Sequence, residues 1–340
     1  MSFPVVVTGN TTDPHFAVSS FLALPAPSIQ VVKTNFTGCV VDCSGTLAAV
    51  GSYGSGQVAI YDLSDPASPQ LQGTVPSTIS AIGALSLDGT NLLVGELNGS
   101  SLVLINISNI SSPQYTTPAT NPNYGSILAV VLKGSTAVVC GPGGFGVLNI
   151  GTMATAFYPS PISAGIGNPF VPGTCDFDGS TAVFADSGSD NIFVYSISGG
   201  NASYQAASNT GLYPPVSIAV LGNQTAVGSI RSNLVWLATT TTGSTVSTVS
   251  VAPGASGVGA IKFLKGQPFL AVGTNNGVSL FSPTTSGWPS IAAATPVGWG
   301  NANLTPTTLG FTVVPVPQGC INAILQFLGN PFKYLFLSRK

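Results

Sequence analysis

Charge is what this chain most lacks. Eight basic and ten acidic residues serve 340 positions, or 5%, where a globular domain ordinarily carries about a quarter. A net charge of -2 offers no basic footprint for a nucleic-acid backbone and no attraction to an anionic membrane surface. Glu, Lys and Arg are too scarce to build long amphipathic helices. His15 is the only histidine, and the five cysteines (Cys39, Cys43, Cys140, Cys175, Cys320) contain no C-x-x-C pair, so no zinc site is expected. The cysteines read as small buried apolar side chains in preference to a disulfide.

Long hydrophobic runs are missing too, although the mean hydropathy is +0.45. "FAVSSFLAL" and "AILQFL" have the length of strands and fall far short of the roughly 18 apolar residues that span a membrane. No Lys or Arg precedes Lys33 and Asp13 stands early, a poor match to a signal peptide. There is no G-x-S-x-G. "GPGGFG" (Gly141 to Gly146) lies between two strands with no helix behind it, which removes a phosphate loop. Neither a cofactor nor a resident metal is expected.

What is abundant is glycine (41) and proline (26), among many Ser, Thr, Val, Ile and Ala residues. That mixture favours short strands joined by tight turns. One unit recurs: an apolar strand, a Gly turn, a second apolar strand, a polar loop, then a third strand. It reads "VVDCSGTLAAVGSYGSGQVAIYDL", "LSLDGTNLLVGELNGSSLVLINI" and "VVLKGSTAVVCGPGGFGVLNI", and three further copies follow. The turn glycines Gly45, Gly89, Gly134, Gly179, Gly222 and Gly266 are spaced 44, 45, 45, 43 and 44 residues apart. A period near 44 with several strands per unit predicts a β-propeller with four-stranded antiparallel blades.

In such a blade, with strands A to D running outward from the channel, "LDGT" and "FDGS" are A–B turns of type I′, so Asp88 and Asp178 are structural. "AILQFLGNPFKYLFL" repeats the start of blade six and predicts strands A and B of a seventh blade within 320–340. Residues 1–35, with "FPVVVTG" and "HFAVSSFLAL", are expected to close that blade as its C and D strands. Residues 36–282 hold repeats one to six, and 297–319 read as a packed insertion between blades six and seven. The whole chain is expected to form one seven-bladed domain.

"VAIYDLSDPASPQLQG" resembles the LVIVD-type propeller repeat, whose units run roughly L-x-I-x-D-V-S-D-P-x-x-P, and its layout is similar to YVTN and WD40-like propellers. The next unit keeps Pro113 but has Asn106 and Asn109 in place of both aspartates, and later units lose the pattern. The resemblance implies the propeller fold and transfers no catalytic residue. Asp62 and Asp65 are expected to be turn formers at the C–D connection.

The B–C and D–A loops of a propeller open on one face, where ligands usually bind. The B–C loops bring Glu96, Asp186, Asp190 and Arg231 to that face, with Ser52 and Asn275, and the D–A loops bring Tyr124, Phe170 and Tyr213. Such a set suits a small polar ligand or a sugar. Asp176, Asp178, Asp186 and Asp190 crowd into one unit, but a whole strand separates the two pairs, so one calcium loop cannot hold them.

A surface of Ser, Thr, Asn, Gln and Gly repels its own copies weakly. The sequence therefore points to a non-enzymatic module outside the cell, or on a cell or particle surface, that assembles with other protein subunits, itself included. Two alternatives are a glycan-binding propeller using Tyr124 and Tyr213, and a lactonase-like hydrolytic propeller with Glu96 and a metal near the channel.

Overall fold

The computed structural model describes residues 2–21, 28–118, 122–162, 170–239, 245–250, 257–264, 269–274, 276–282, 290–294 and 308–315. Its twenty-eight strands form seven antiparallel four-stranded sheets. The inner strands are β4 (Cys39–Ser44), β8 (Ile82–Asp88), β12 (Ala129–Lys133), β16 (Pro172–Phe177), β20 (Pro215–Leu221), β24 (Val258–Phe263) and β28 (Thr308–Pro315). Each packs against the next, and β28 packs back onto β4, closing the ring. The fold is a seven-bladed β-propeller.

Seven hydrophobic clusters hold it together, one at each interface between neighbouring blades. A blade is covered on both faces, which is why its second strand reads as an unbroken apolar run instead of alternating. Ala48, Ala49 and Val50 in blade one and Leu92, Leu93 and Val94 in blade two are all fully buried.

The turn glycines do what the repeat requires, in a different turn. Gly45, Gly89, Gly134 and Gly222 have φ between 58° and 60°, and the residues that follow them have no positive φ. The register leaves a two-residue loop with glycine first, as in Gly89-Thr90 between Asp88 and Asn91. That is the type II′ pattern, not the type I′ expected from Asp-Gly, because the aspartate stands one place earlier as the last paired residue. There Asp88 Oδ2 accepts the Gly134 N–H at 2.6 Å and Asp178 Oδ2 accepts the Gly222 N–H at 2.8 Å, so each links its turn to that of the next blade.

Blade seven departs from the expected arrangement. Its order is β28, β1 (Ser2–Gly9), β2 (His15–Ser20) and β3 (Ser28–Lys33). The N-terminal strands are thus B, C and D, not C and D, and part of the expected 297–319 insertion is strand A itself. Val5, Val6 and Val7 are fully buried, as a second strand covered on both faces must be. "SIQVVK", half-exposed with Gln and Lys, is the outermost strand and resembles a linker when read alone. Residues 320–340, expected to supply strands A and B, lie outside the described residues.

The C–D connections of blades one and two are Asx turns. Asp62 Oδ1 accepts the N–H of Ser64 at 2.8 Å and its hydroxyl at 2.6 Å, and Asp65 Oδ1 accepts Ala67 N–H at 3.1 Å. In blade two Asn106 and Asn109 accept from Ser108 and Ser111 in the same way, at 3.0 and 3.1 Å.

Candidate functional site on the loop face and in the channel

The seven residues expected on the loop face do not form one site. Tyr124 and Phe170 are not at the surface at all. Tyr124 is fully buried between blades two and three, edge-on to Phe157 at 5.2 Å. Phe170 stacks on Phe193 at 3.9 Å, between blades three and four. D–A loops pass over the blade interfaces, so an aromatic there gains more from filling the gap below than from facing water.

Asp186 and Asp190 are spent on their own loops. Asp186 accepts from Val171 N–H at 3.1 Å, Gly188 N–H at 3.2 Å and the Ser189 hydroxyl at 2.6 Å. Asp190 Oδ1 accepts from the Asn209 amide at 2.7 Å. Asp178 belongs to the opposite end, bonded to Ser180 and Thr181, so the separation of the acidic pairs is as expected. Glu96 ends β9 (Asn91–Glu96), where hydrogen bonds from Ser101 and Ser80 hold its carboxyl below the usual carboxylate value despite partial burial.

Only Tyr213 and Arg231 come together. Tyr213 is 50% exposed, and the Arg231 guanidinium sits 5.9 Å from its ring centroid, within cation–π range. Ile230 beside them is also half-exposed. They form a small amphipathic patch on the loop face of blade five. Ser52 is buried, and Asn275 lies outside the described residues.

The charged groups that do converge are in the central channel. Inner strands from all seven blades line an upper cavity of about 130 Å³, which includes Asp42, Asp176 and Lys262. A lower cavity of about 210 Å³ is lined by Asp42, Lys133 and Lys262 among others. Asp42 and Lys262 border both cavities and so mark the waist of the channel; Lys262 Nζ lies 3.9 Å from Asp42 Oδ1.

The carboxylates have a structural task. An inner strand is the edge of its sheet, and its outward N–H groups need acceptors. Asp42 Oδ2 accepts Leu87 N–H at 2.9 Å, Ser86 Oγ accepts Leu132 N–H at 3.0 Å, and Asp176 Oδ2 accepts Val220 N–H at 2.8 Å. Ser86 also donates to Asp42 at 3.3 Å. Burial raises the Asp176 pKa, partly opposed by Lys262 and Lys133. For Lys262, burial lowers the pKa, but Asp42 and Asp176 outweigh it and leave a net rise. The sequence places Asp176 in an acidic cluster and does not single out Asp42 or Lys262. The detectable signal was that each occupies the same strand-A position, where an apolar residue would be unremarkable.

Among the described residues no group of three His, Cys, Asp or Glu side chains could hold a metal ion. Cys39, Cys43, Cys140 and Cys175 are buried thiols that form no disulfide with one another. No helix among the described residues is long and apolar enough to cross a membrane.

No protein-family model and no curated protein matches the chain. Solved structures do. The chain is similar to Citrobacter koseri AztD, with 10% identity over 93% of this chain and 100% of that one and a TM-score of 0.62. The β-propeller domain of Myceliophteria thermophila Cps50 (Swd1) gives 11%, 82%, 92% and 0.63 in the same order. Saccharomyces cerevisiae Sqt1 gives 15%, 93%, 94% and 0.61. At such identities the likeness is one of fold. A propeller of this kind is in general a frame for protein binding or for structure.

Proposed function

We propose that this protein is a non-enzymatic structural or protein-binding module at a cell or particle surface or outside the cell, and that its partners include further copies of itself. The observation that carries the reading is the composition of the outer rim. The seven outermost strands are β3, β7 (Gln70–Pro76), β11 (Gln114–Thr116), β15 (Ala154–Pro159), β19 (Asn201–Asn209), β23 (Thr245–Ser250) and β27 (Ser290–Ala294). Together they carry a single charged residue, Lys33. Edge strands that stay apart are ordinarily guarded by charge, above all by lysine. Leu71 and Tyr115, on two of these strands, are 56% and 39% exposed.

The test is sedimentation velocity across a wide concentration range in low and high salt. Association that grows with concentration and hardly responds to salt supports the reading. A monomer throughout overturns it.

The Tyr213–Arg231 patch favours a second reading, glycan binding, since sugars stack on exposed aromatic rings and hydrogen-bond to guanidinium groups. A glycan array that shows binding lost in Tyr213→Ala and Arg231→Ala supports it, and an empty array removes it. The hydrolytic alternative gains nothing from Glu96, whose carboxylate is bound by two serines and lines neither channel cavity.

A further inference from the structure

We infer that self-association, the reading on which this inference rests, runs through the outer edge of blade three: β15 of one copy pairs antiparallel with β15 of a second copy about a two-fold axis. The other outer strands are each blunted. Register shifts interrupt the pairing of β7 with β6 (Gln57–Asp62), β19 with β18 (Asn191–Ser198), β23 with β22 (Leu234–Thr239) and β27 with β26 (Gly277–Phe281). Such bulges twist an edge away from a partner. On β19 the Tyr158 hydroxyl also accepts the Ala202 N–H at 2.7 Å and donates to its carbonyl at 3.3 Å, covering that stretch of edge. β3 carries Lys33, and β11 has only three residues.

Among the described residues β15 is neither bulged, charged nor covered, and Pro159, which has no N–H, limits the edge it offers to Ala154–Tyr158. "ATAFYP" pairs with β14 (Gly144–Asn149) over six positions without a shift. Thr155, Phe157 and Tyr158 are β-forming side chains, and no charge on the strand opposes a second strand. Its own side chains anchor it firmly: Tyr158 stacks on Phe145 at 4.6 Å, and Phe157 meets Tyr124. The edge offered to a partner is therefore rigid, which lowers the entropy lost on pairing.

The surroundings select the partner. From Leu97 to Cys175 the sequence holds one charged residue, Lys133, and that residue lines the channel. Blade three therefore presents its outer edge from a charge-free sector. A foreign surface of ordinary composition would lose hydration of its charges against this edge without gaining an ion pair. A second copy meets an edge equally free of charge, and the two-fold arrangement satisfies both free edges at once.

The test places charge at the centre of the strand. Ala156→Lys and Ala156→Glu should each weaken association of the full chain about tenfold, because the two-fold axis sets like charges near each other. An equimolar mixture of the two variants should restore it. Ser203→Lys, on the exposed side of bulged β19, should leave association unchanged. Hydrogen exchange of the unaltered protein provides a measurement that needs no substitution: amides of 154–158 should gain protection as concentration rises. A protein that associates while Ala156→Lys has no effect and 154–158 gain no protection overturns the β15 interface and leaves the general reading standing. A strictly monomeric protein overturns both.

Discussion

Lys262 Nζ lies 3.9 Å from Asp42 Oδ1 and ties blade six to blade one, with the blade that closes the ring between them. Asp42 meanwhile caps the inner strand of blade two through Leu87. One carboxylate therefore connects both sides of the channel. Replacing Lys262 by Met leaves Asp42 without its ion partner and Asp176 with only Lys133 to oppose its burial, and should cost about 3 kcal/mol in urea unfolding, the lower end for a broken buried pair because the channel admits water. The folded-state pKa of Lys262 is raised above 10.5, so its contribution is complete below that pH and is lost as pH climbs through the raised value. The gap between wild type and Lys262→Met should accordingly narrow at strongly alkaline pH.

Asp176 has the opposite dependence from the usual acid. Burial raises its pKa above 3.8, so the folded state takes up a proton more readily than the unfolded chain. Relative to Asp176→Asn, wild type should gain stability as pH falls through the raised value and level off below about 3.8. Parallel unfolding curves across the acid range check this, and a relative loss would count against it.

Tyr124 tests burial against ligand binding. Its hydroxyl has no hydrogen-bond partner among the described residues, and burial pushes its pKa up strongly. An unsatisfied buried hydroxyl costs roughly 1–3 kcal/mol, so Tyr124→Phe should be neutral or stabilising. Tyr124→Ala should lose about 3–5 kcal/mol by opening a cavity. Thermal unfolding of the pair distinguishes this from a surface aromatic, whose truncation would cost little.

Gly310 in β28 decides how the ring closes. A Cβ there would stand 2.7 Å from the backbone nitrogen of Cys43 and 2.7 Å from its sulfur. Neither backbone nor buried thiol can step aside cheaply, so Gly310→Val should destabilise by at least about 2 kcal/mol. The expected sign of the defect is a lower denaturant midpoint together with faster proteolysis of the N-terminal strands, which pair with β28.

Asp62 and Asp65 should be replaceable. Asn performs the same turn function at the matching places in blade two. Asp62→Asn with Asp65→Asn should therefore change stability by less than about 0.5 kcal/mol and leave association untouched. A large loss of either would show that the carboxylate charge itself matters.

The propeller was legible in the sequence because each blade is a nearly independent unit, and six glycine turns repeat at an almost constant spacing. The Asx turns were legible for a related reason: Asp or Asn followed by Ser two residues later is a local hydrogen-bonding arrangement that needs no distant partner. Blade seven was not, since its register depends on pairing Ser2 with Pro315 across almost the whole chain. No local pattern distinguishes a B strand from a C strand when both are apolar.

The candidate site shows the same division. Sequence alone determined that charge is rare, that the blades repeat, and which loops share a face, because composition and period are properties of the chain taken in order. Only the tertiary structure decided that Tyr124 and Phe170 fill blade interfaces, that Tyr213 and Arg231 meet at the surface, and that Asp42, Asp176 and Lys262 share a channel. The reason is physical: burial and ion pairing depend on which blades become neighbours around a closed ring, and Asp42 and Lys262 are brought together only by that closure.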